Sequence, residues 1–229
     1  MIIRYLELDF IRGIAIILMI IFHTSFDLNY FHFIEIDIYN HQSQHWAYFR
    51  DLIVSLFLGT MGISLSLAYK KQIHFKKFLR HISILFVASL GITLTTYIVF
   101  PKYFIYFGIL HFITLASLLA LPFIRYGYTS LFIGIVIILS SYLNLLSIHP
   151  VYSYIQPILS LPLKTKDLVP FFPWFGVVLI GIFIGDKKLF QFPLPNKQLI
   201  TKITFLGQHS LAIYLIHQPL LFGLFMFLS

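Results

Sequence analysis

Three histidines fall inside long apolar runs of this sequence: His23, His111 and His217. A neutral imidazole titrates near pH 7, so it can take a proton from a reacting group or hydrogen-bond a developing oxyanion. Polar side chains at membrane depth are costly and mark either a site or hydrogen bonds between helices. Around the third histidine, Ser210, Tyr214, His217 and Gln218 recur at helical spacing. They put one polar stripe on a Leu/Phe/Ile cylinder, and such a stripe must face protein or a wet cavity. Asp9 and Arg12 lie three apart, as an ion pair on one helix face or with Arg12 taking an anionic ligand. The segment after the first run carries His32, Glu35, Asp37, His41 and His45, and it ends in Arg50 and Asp51. Asp51 at a helix start is ordinary dipole chemistry, and its neighbours His41 and His45 add a chemical reading. There is no Gly-rich phosphate loop, no HExxH and no GxSxG, and no cysteine. That removes a disulfide framework and any thiolate site, and no spacing singles out a metal site.

The elements that position these groups follow from composition. Of 229 residues, 59% are hydrophobic and 10% are charged, with a mean hydropathy of +0.90. A soluble domain carries about 25% charged residues, so a soluble enzyme and a disordered tail are excluded. The class is an all-α polytopic membrane protein of one transmembrane domain over 1–229. Seven runs approach the roughly 20 apolar residues that a bilayer core needs: 10–30, 52–69, 82–100, 104–123, 130–147, 169–185 and 205–228. Pro219 is expected to kink the last of them.

Of the sixteen basic residues, an N-terminus inside leaves only Arg50, Lys102, Lys164 and Lys166 outside. That bias sets the expected orientation: N-terminus cytoplasmic, C-terminus out. The net charge of +8 is then assigned to loops facing anionic lipid, not to nucleic acid. With about 1.5 Å of rise per residue, His23, His111 and His217 come to a similar depth, which predicts one internal cavity. Each alone is equally well read as helix–helix glue.

Three stretches carry a resemblance. The first run reads Leu8-Asp9-Phe10-Ile11-Arg12-Gly13 and ends Phe22-His23; the sixth reads Pro170-Phe171-Phe172-Pro173-Trp174-Phe175-Gly176. The seventh reads Leu206-Gly207-Gln208-His209-Ser210 through Tyr214, His217, Gln218 and Pro219, and Gly108-Ile109-Leu110-His111 fits as well. In this order they resemble the catalytic domain of heparan-alpha-glucosaminide N-acetyltransferases and their compact prokaryotic relatives, over nearly the whole chain. The resemblance implies an integral membrane acyltransferase moving an acyl group, expected to be acetyl, from acyl-CoA to a sugar amine or hydroxyl of an envelope glycan. The acceptor lies on the non-cytoplasmic side. It also implies an essential loop histidine, which the spacing to Asp51 and Met61-Gly62 places at His41, with His45 as the alternative. His23 falls where the lysosomal enzymes have an asparagine.

The catalytic candidates are therefore His41, His23 and Asp51. His111, His217, Tyr214, Trp174 and Arg50 are the candidates for binding substrate, and Arg12 and His209 for acyl-CoA. Lys70, Lys71, Lys76, Lys77, Lys187 and Lys188 serve topology or CoA phosphates. The expected setting is a prokaryotic cytoplasmic membrane, with lipid around the chain, a homodimer as the candidate assembly and no metal. Two rival classes remain: a transporter or flippase with a His-lined pathway, and a cytochrome ligating haem through two buried histidines.

Overall fold

The computed structural model describes residues 5–35, 44–147, 149–165, 167–194 and 197–229. Among them the regular structure is helical: α1 (Leu6–Tyr30), α2 (Gln44–Tyr69), α3 (Phe75–Val99), α4 (Ile109–Leu119), α5 (Gly127–Tyr142), α6 (His149–Ile158), α7 (Phe171–Lys187), α8 (Lys197–Gln208) and α9 (Ser210–Leu228), with a 3-10 turn at Leu121–Phe123. By length and composition, α2, α3 and α9 are long and apolar enough to cross a membrane. Large apolar side chains stand exposed along α3 and α9, among them Val87, Leu94, Ile98, Leu220 and Phe227. In water such surface would be a liability; in lipid it is the outside of the protein.

The apolar runs do not map one to one onto helices. Residues 104–108 are not helical, and α4 that follows has only 11 residues. At about 1.5 Å per residue it is far shorter than a ~30 Å hydrocarbon core. The backbone before α4 pairs elsewhere: Val169 donates its N–H to the Phe107 carbonyl at 3.2 Å, and Thr165 Oγ1 donates to that of Phe104 at 2.8 Å. The run at 205–228 is also not one helix. It belongs to α8 up to Gln208 and to α9 from Ser210, with the break at His209. Pro219 does not interrupt α9; it takes one N–H from the ladder without ending the helix. The run at 169–185 begins its helix at Phe171 and has a non-helical Phe172 inside.

Two compact units divide the chain, Met1–Phe57 with Phe190–Ser229 and Leu58–Leu189, so α2 passes from one to the other. In the first, α1 packs on α8 by backbone approach. A Cβ on Gly13 would meet the carbonyl of Ile203, and one on Gly207 would meet that of Asp9. Ile16, Met19 and Ile53 form the core there, with Phe57, Leu206, Ile213 and Tyr214 against it. In the second unit, α7 uses glycines on two faces. Gly181 meets Gly59 of α2, and Gly176 meets the Gly134 carbonyl of α5, 2.7 Å from where its Cβ would stand. Small residues allow this approach, the usual means of packing helices in lipid. Between those contacts Val178, Leu179 and Ile182 are fully buried.

The expected orientation, N-terminus cytoplasmic, can be tested directly. Because the chain has no cysteine, single cysteines at His74 and Ser160 can be labelled cleanly in intact cells. His74→Cys should react only after the membrane is permeabilised, and Ser160→Cys should react from outside. The reverse pattern would invert the topology.

Candidate functional site

α1 packs beside α9, and the contacts rise together along α9 and along α1 with the residues just after it. The rings of His23 and His217 lie 4.9 Å apart, those of Phe31 and Phe222 5.0 Å, and those of Phe33 and Phe225 6.0 Å. Between the histidine pair and the aromatic pairs sits Asp27, which is completely buried. Gln218 Nε2 donates to both of its carboxylate oxygens, at 2.9 and 3.1 Å. Asp27 follows His23 by one helical turn, so α1 presents both on one face. Phe22 continues this region towards α2, with its ring 5.8 Å from Trp46 and 5.9 Å from Phe49.

Hydrogen-bond direction fixes the chemical character of the cluster. His217 Nδ1 lies 2.7 Å from the Tyr214 carbonyl. A carbonyl only accepts, so Nδ1 carries the proton, and Nε2 of the neutral ring is a lone-pair acceptor. His217 is 8% exposed, and among the described residues its Nε2 has no partner. Gln218 spends its amide nitrogen on Asp27, and its Oε1 is likewise buried and unpartnered. Buried polar atoms are satisfied in most proteins. Two adjacent orphan acceptors beside a buried carboxylate can accept from N–H or O–H groups.

The other sequence candidates divide sharply. His111 lies in the second unit, and both of its ring nitrogens are used there. Gly108 donates its backbone N–H to Nδ1 at 3.3 Å. Nε2 stands 3.0 Å from Thr93 Oγ1, whose own proton goes to the Ile105 carbonyl at 2.8 Å. The set is consistent only if Nε2–H donates to Thr93, so His111 ties α3 to the start of α4. Asp167 adds to the same helix start by accepting from the Ile109 N–H at 3.3 Å. Trp174 is buried in α7 of that unit.

In the first unit, Arg50 and Asp51 pair with each other at 3.0 Å, both substantially exposed, a geometry worth little energetically. His45 is exposed in the first turn of α2. Arg12 pairs with the buried Asp9 at 3.7 Å, the spacing expected on one helix face. His209 marks the bend between α8 and α9, its Nδ1 2.9 Å from the Phe205 carbonyl. His41 lies outside the described residues. Among the described residues, no group of three or more His, Cys, Asp or Glu is placed to hold a metal ion. Lys70 pairs with the buried Asp186 in the second unit.

Asp27 is the residue that sequence reasoning passed over. Its signal was available: an acid inside the first apolar run, four residues after His23. Its partner Gln218 is 191 positions away, and no local pattern connects the two.

A family model described as heparan-alpha-glucosaminide N-acetyltransferase, catalytic, matches residues 4–219. No curated protein and no solved structure matches the chain.

Proposed function

This chain belongs to the heparan-alpha-glucosaminide N-acetyltransferase catalytic family, a family of acetyltransferases, and from that premise we propose that it is a membrane acyltransferase with a histidine general base. It takes an acyl group, acetyl in the simplest case, from acyl-CoA on the cytoplasmic side. It delivers that group to an amine or hydroxyl of an envelope glycan on the other side of a prokaryotic cytoplasmic membrane. The observation that supports this reading is the pair of orphan acceptors, His217 Nε2 and Gln218 Oε1, beside the buried Asp27. A sugar amine or hydroxyl supplies the N–H and O–H donors that these atoms lack.

In the proposed step, the acceptor nitrogen or oxygen attacks the thioester carbonyl. The new C–N or C–O bond forms as the C–S bond breaks. The base takes the acceptor's proton, and the CoA sulfur leaves and recovers a proton as the thiol. His41 is the base implied by family resemblance, with Asp51 in support. His23 stands beside His217 to orient the reacting groups, and Tyr214 carries the carbonyl that fixes the His217 tautomer. Arg12 and His209 are assigned to the anionic end of acyl-CoA, and a homodimer is the proposed assembly.

The test uses the purified chain in lipid nanodiscs with labelled acetyl-CoA and an amino sugar. Free CoA and labelled acceptor should appear together, and both should depend on the acceptor. CoA release without acceptor means hydrolysis alone; no CoA release favours a transport role and sinks the proposal. His217→Ala should raise the KM for the acceptor by roughly 3- to 10-fold, the worth of one hydrogen bond of about 1 kcal/mol, with a smaller effect on the KM for acetyl-CoA. Equal effects on both substrates would remove His217 from the acceptor subsite.

A further inference from the structure

Helix α6 is amphipathic in the inverted sense. Two of its polar side chains turn back onto its own loop: the Tyr152 hydroxyl donates to the Pro162 carbonyl at 2.9 Å, and Gln156 Nε2 donates to the Leu161 carbonyl at 2.6 Å. The Tyr152 ring stacks on Tyr106 at 5.8 Å, with the planes within 14°. Its apolar stripe, Val151, Tyr154, Ile155, Ile158 and Leu159, turns outward and is exposed, Tyr154 at 73% and Ile158 at 64%. That i, i+3, i+4, i+7, i+8 spacing is the face a helix normally buries.

We infer that α6 is an interfacial helix, lying along the bilayer surface with its Val151–Leu159 stripe in the lipid. Three observations commit the stripe to lipid rather than to a partner. From 149 to 163 the sequence has no Asp, Glu, Lys or Arg, so nothing in it offers a protein partner charge complementarity. Large apolar side chains are also exposed at the end of α5 and just after it: Tyr142 is 83% exposed, and Leu143 and Leu145 are exposed as well. The helix has 10 residues, about 15 Å, too short to cross and long enough to lie in the headgroup layer. Tyrosine is at home there, and Lys164 follows the apolar stretch within reach of headgroups. An exposed stripe of this kind is bound by a membrane in proportion to the apolar area it buries. The same loop carries Thr165 and Asp167, which hold the segment before α4 and its first turn, so lipid contact at α6 would anchor that end of the second unit.

Because the chain has no cysteine, one label can be placed at a time. Ile155→Cys and Ile158→Cys test the stripe, and Lys164→Cys serves as the reference, each carrying a polarity-sensitive fluorophore. The proteins are reconstituted in phosphatidylcholine–phosphatidylglycerol vesicles that contain lipids with a quencher near the headgroup or near the chain end. Interfacial helices sink roughly 5–10 Å below the headgroups. The shallow quencher should therefore reduce emission at Ile155 and Ile158 by about half or more, with a weaker effect from the deep quencher and at Lys164. Aqueous iodide should reach the stripe poorly. Strong iodide quenching with no effect of either lipid would overturn the inference in favour of water. Protection from both quenchers, with cysteine cross-linking between copies at Ile155, would overturn it in favour of a dimer contact. All three positions are exposed, and monodisperse elution of each variant confirms that it folds.

Discussion

Replacing His41 by alanine is expected to lower acyl-transfer turnover by roughly 10²–10⁴, the usual contribution of a positioned general acid–base. Acyl transfer from a thioester needs a group that takes the acceptor's proton near pH 7, and unperturbed imidazole is the side chain suited to it. His41 is singled out by family resemblance and by its distance in sequence from Asp51. His45→Ala should be much milder, because His45 sits exposed in the first turn of α2. His23→Ala should fall between them, since its ring stands against His217 and its proposed role is to orient the reacting groups. Turnover of the three variants at matched expression, with melting temperatures beside it, separates chemistry from folding. If His41→Ala keeps near-wild-type turnover and His23→Ala loses it, the base is in the His23–His217 pair and the loop assignment fails.

The second large effect is structural. Gly207→Ala should destabilise the protein by about 1–3 kcal/mol, the range for forcing an extra carbon into a packed contact. The added Cβ would collide with the Asp9 carbonyl and come within 2.9 Å of the Gly13 nitrogen. Neither is a flexible side-chain end that can swing away, so α8 and α1 must part. For a chain of this length, each kcal/mol corresponds to a fall in Tm of roughly 2–4 °C. Activity should fall as well, because Asp9 and its partner Arg12 move with that backbone. Gly223→Ala is the control: its Cβ would meet open space, and in a helix alanine is favoured over glycine by about 1 kcal/mol. A Gly207→Ala protein that melts with wild type while Gly223→Ala does not rise would show that the α1–α8 contact is looser than described.

Both predictions depend on how the chain is read at different ranges. Local spacing alone gave the Asp9–Arg12 pair, because three residues on one helix bring side chains together whatever surrounds them. It also placed Ser210, Tyr214, His217 and Gln218 at helical spacing, all within α9. Hydropathy alone pointed to the membrane class, since a surface with so little charge cannot be covered in water, and three helices are long and apolar enough to cross. It could not decide where helices begin. Residues 104–108 are as apolar as a span, yet their backbone bonds to Thr165 and Val169, and those partners are about 60 positions away.

The histidines show the same division. As letters in apolar runs, His23, His111 and His217 are equivalent, and depth along a helix grouped them. Tertiary structure gives them different bonding: His111 spends both nitrogens on Gly108 and Thr93, whereas among the described residues His217 keeps a buried lone pair without a partner. Asp27 stood in view one turn from His23, and only the approach of α9 showed its purpose by bringing Gln218 to both of its oxygens. Sequence by itself determined what each helix can bury and which residues share its faces, because those follow from a fixed rise and turn per residue. Which polar atoms are satisfied and which are left open was decided by tertiary structure, because a hydrogen bond between helices is a matter of distance and direction in space that local spacing does not contain.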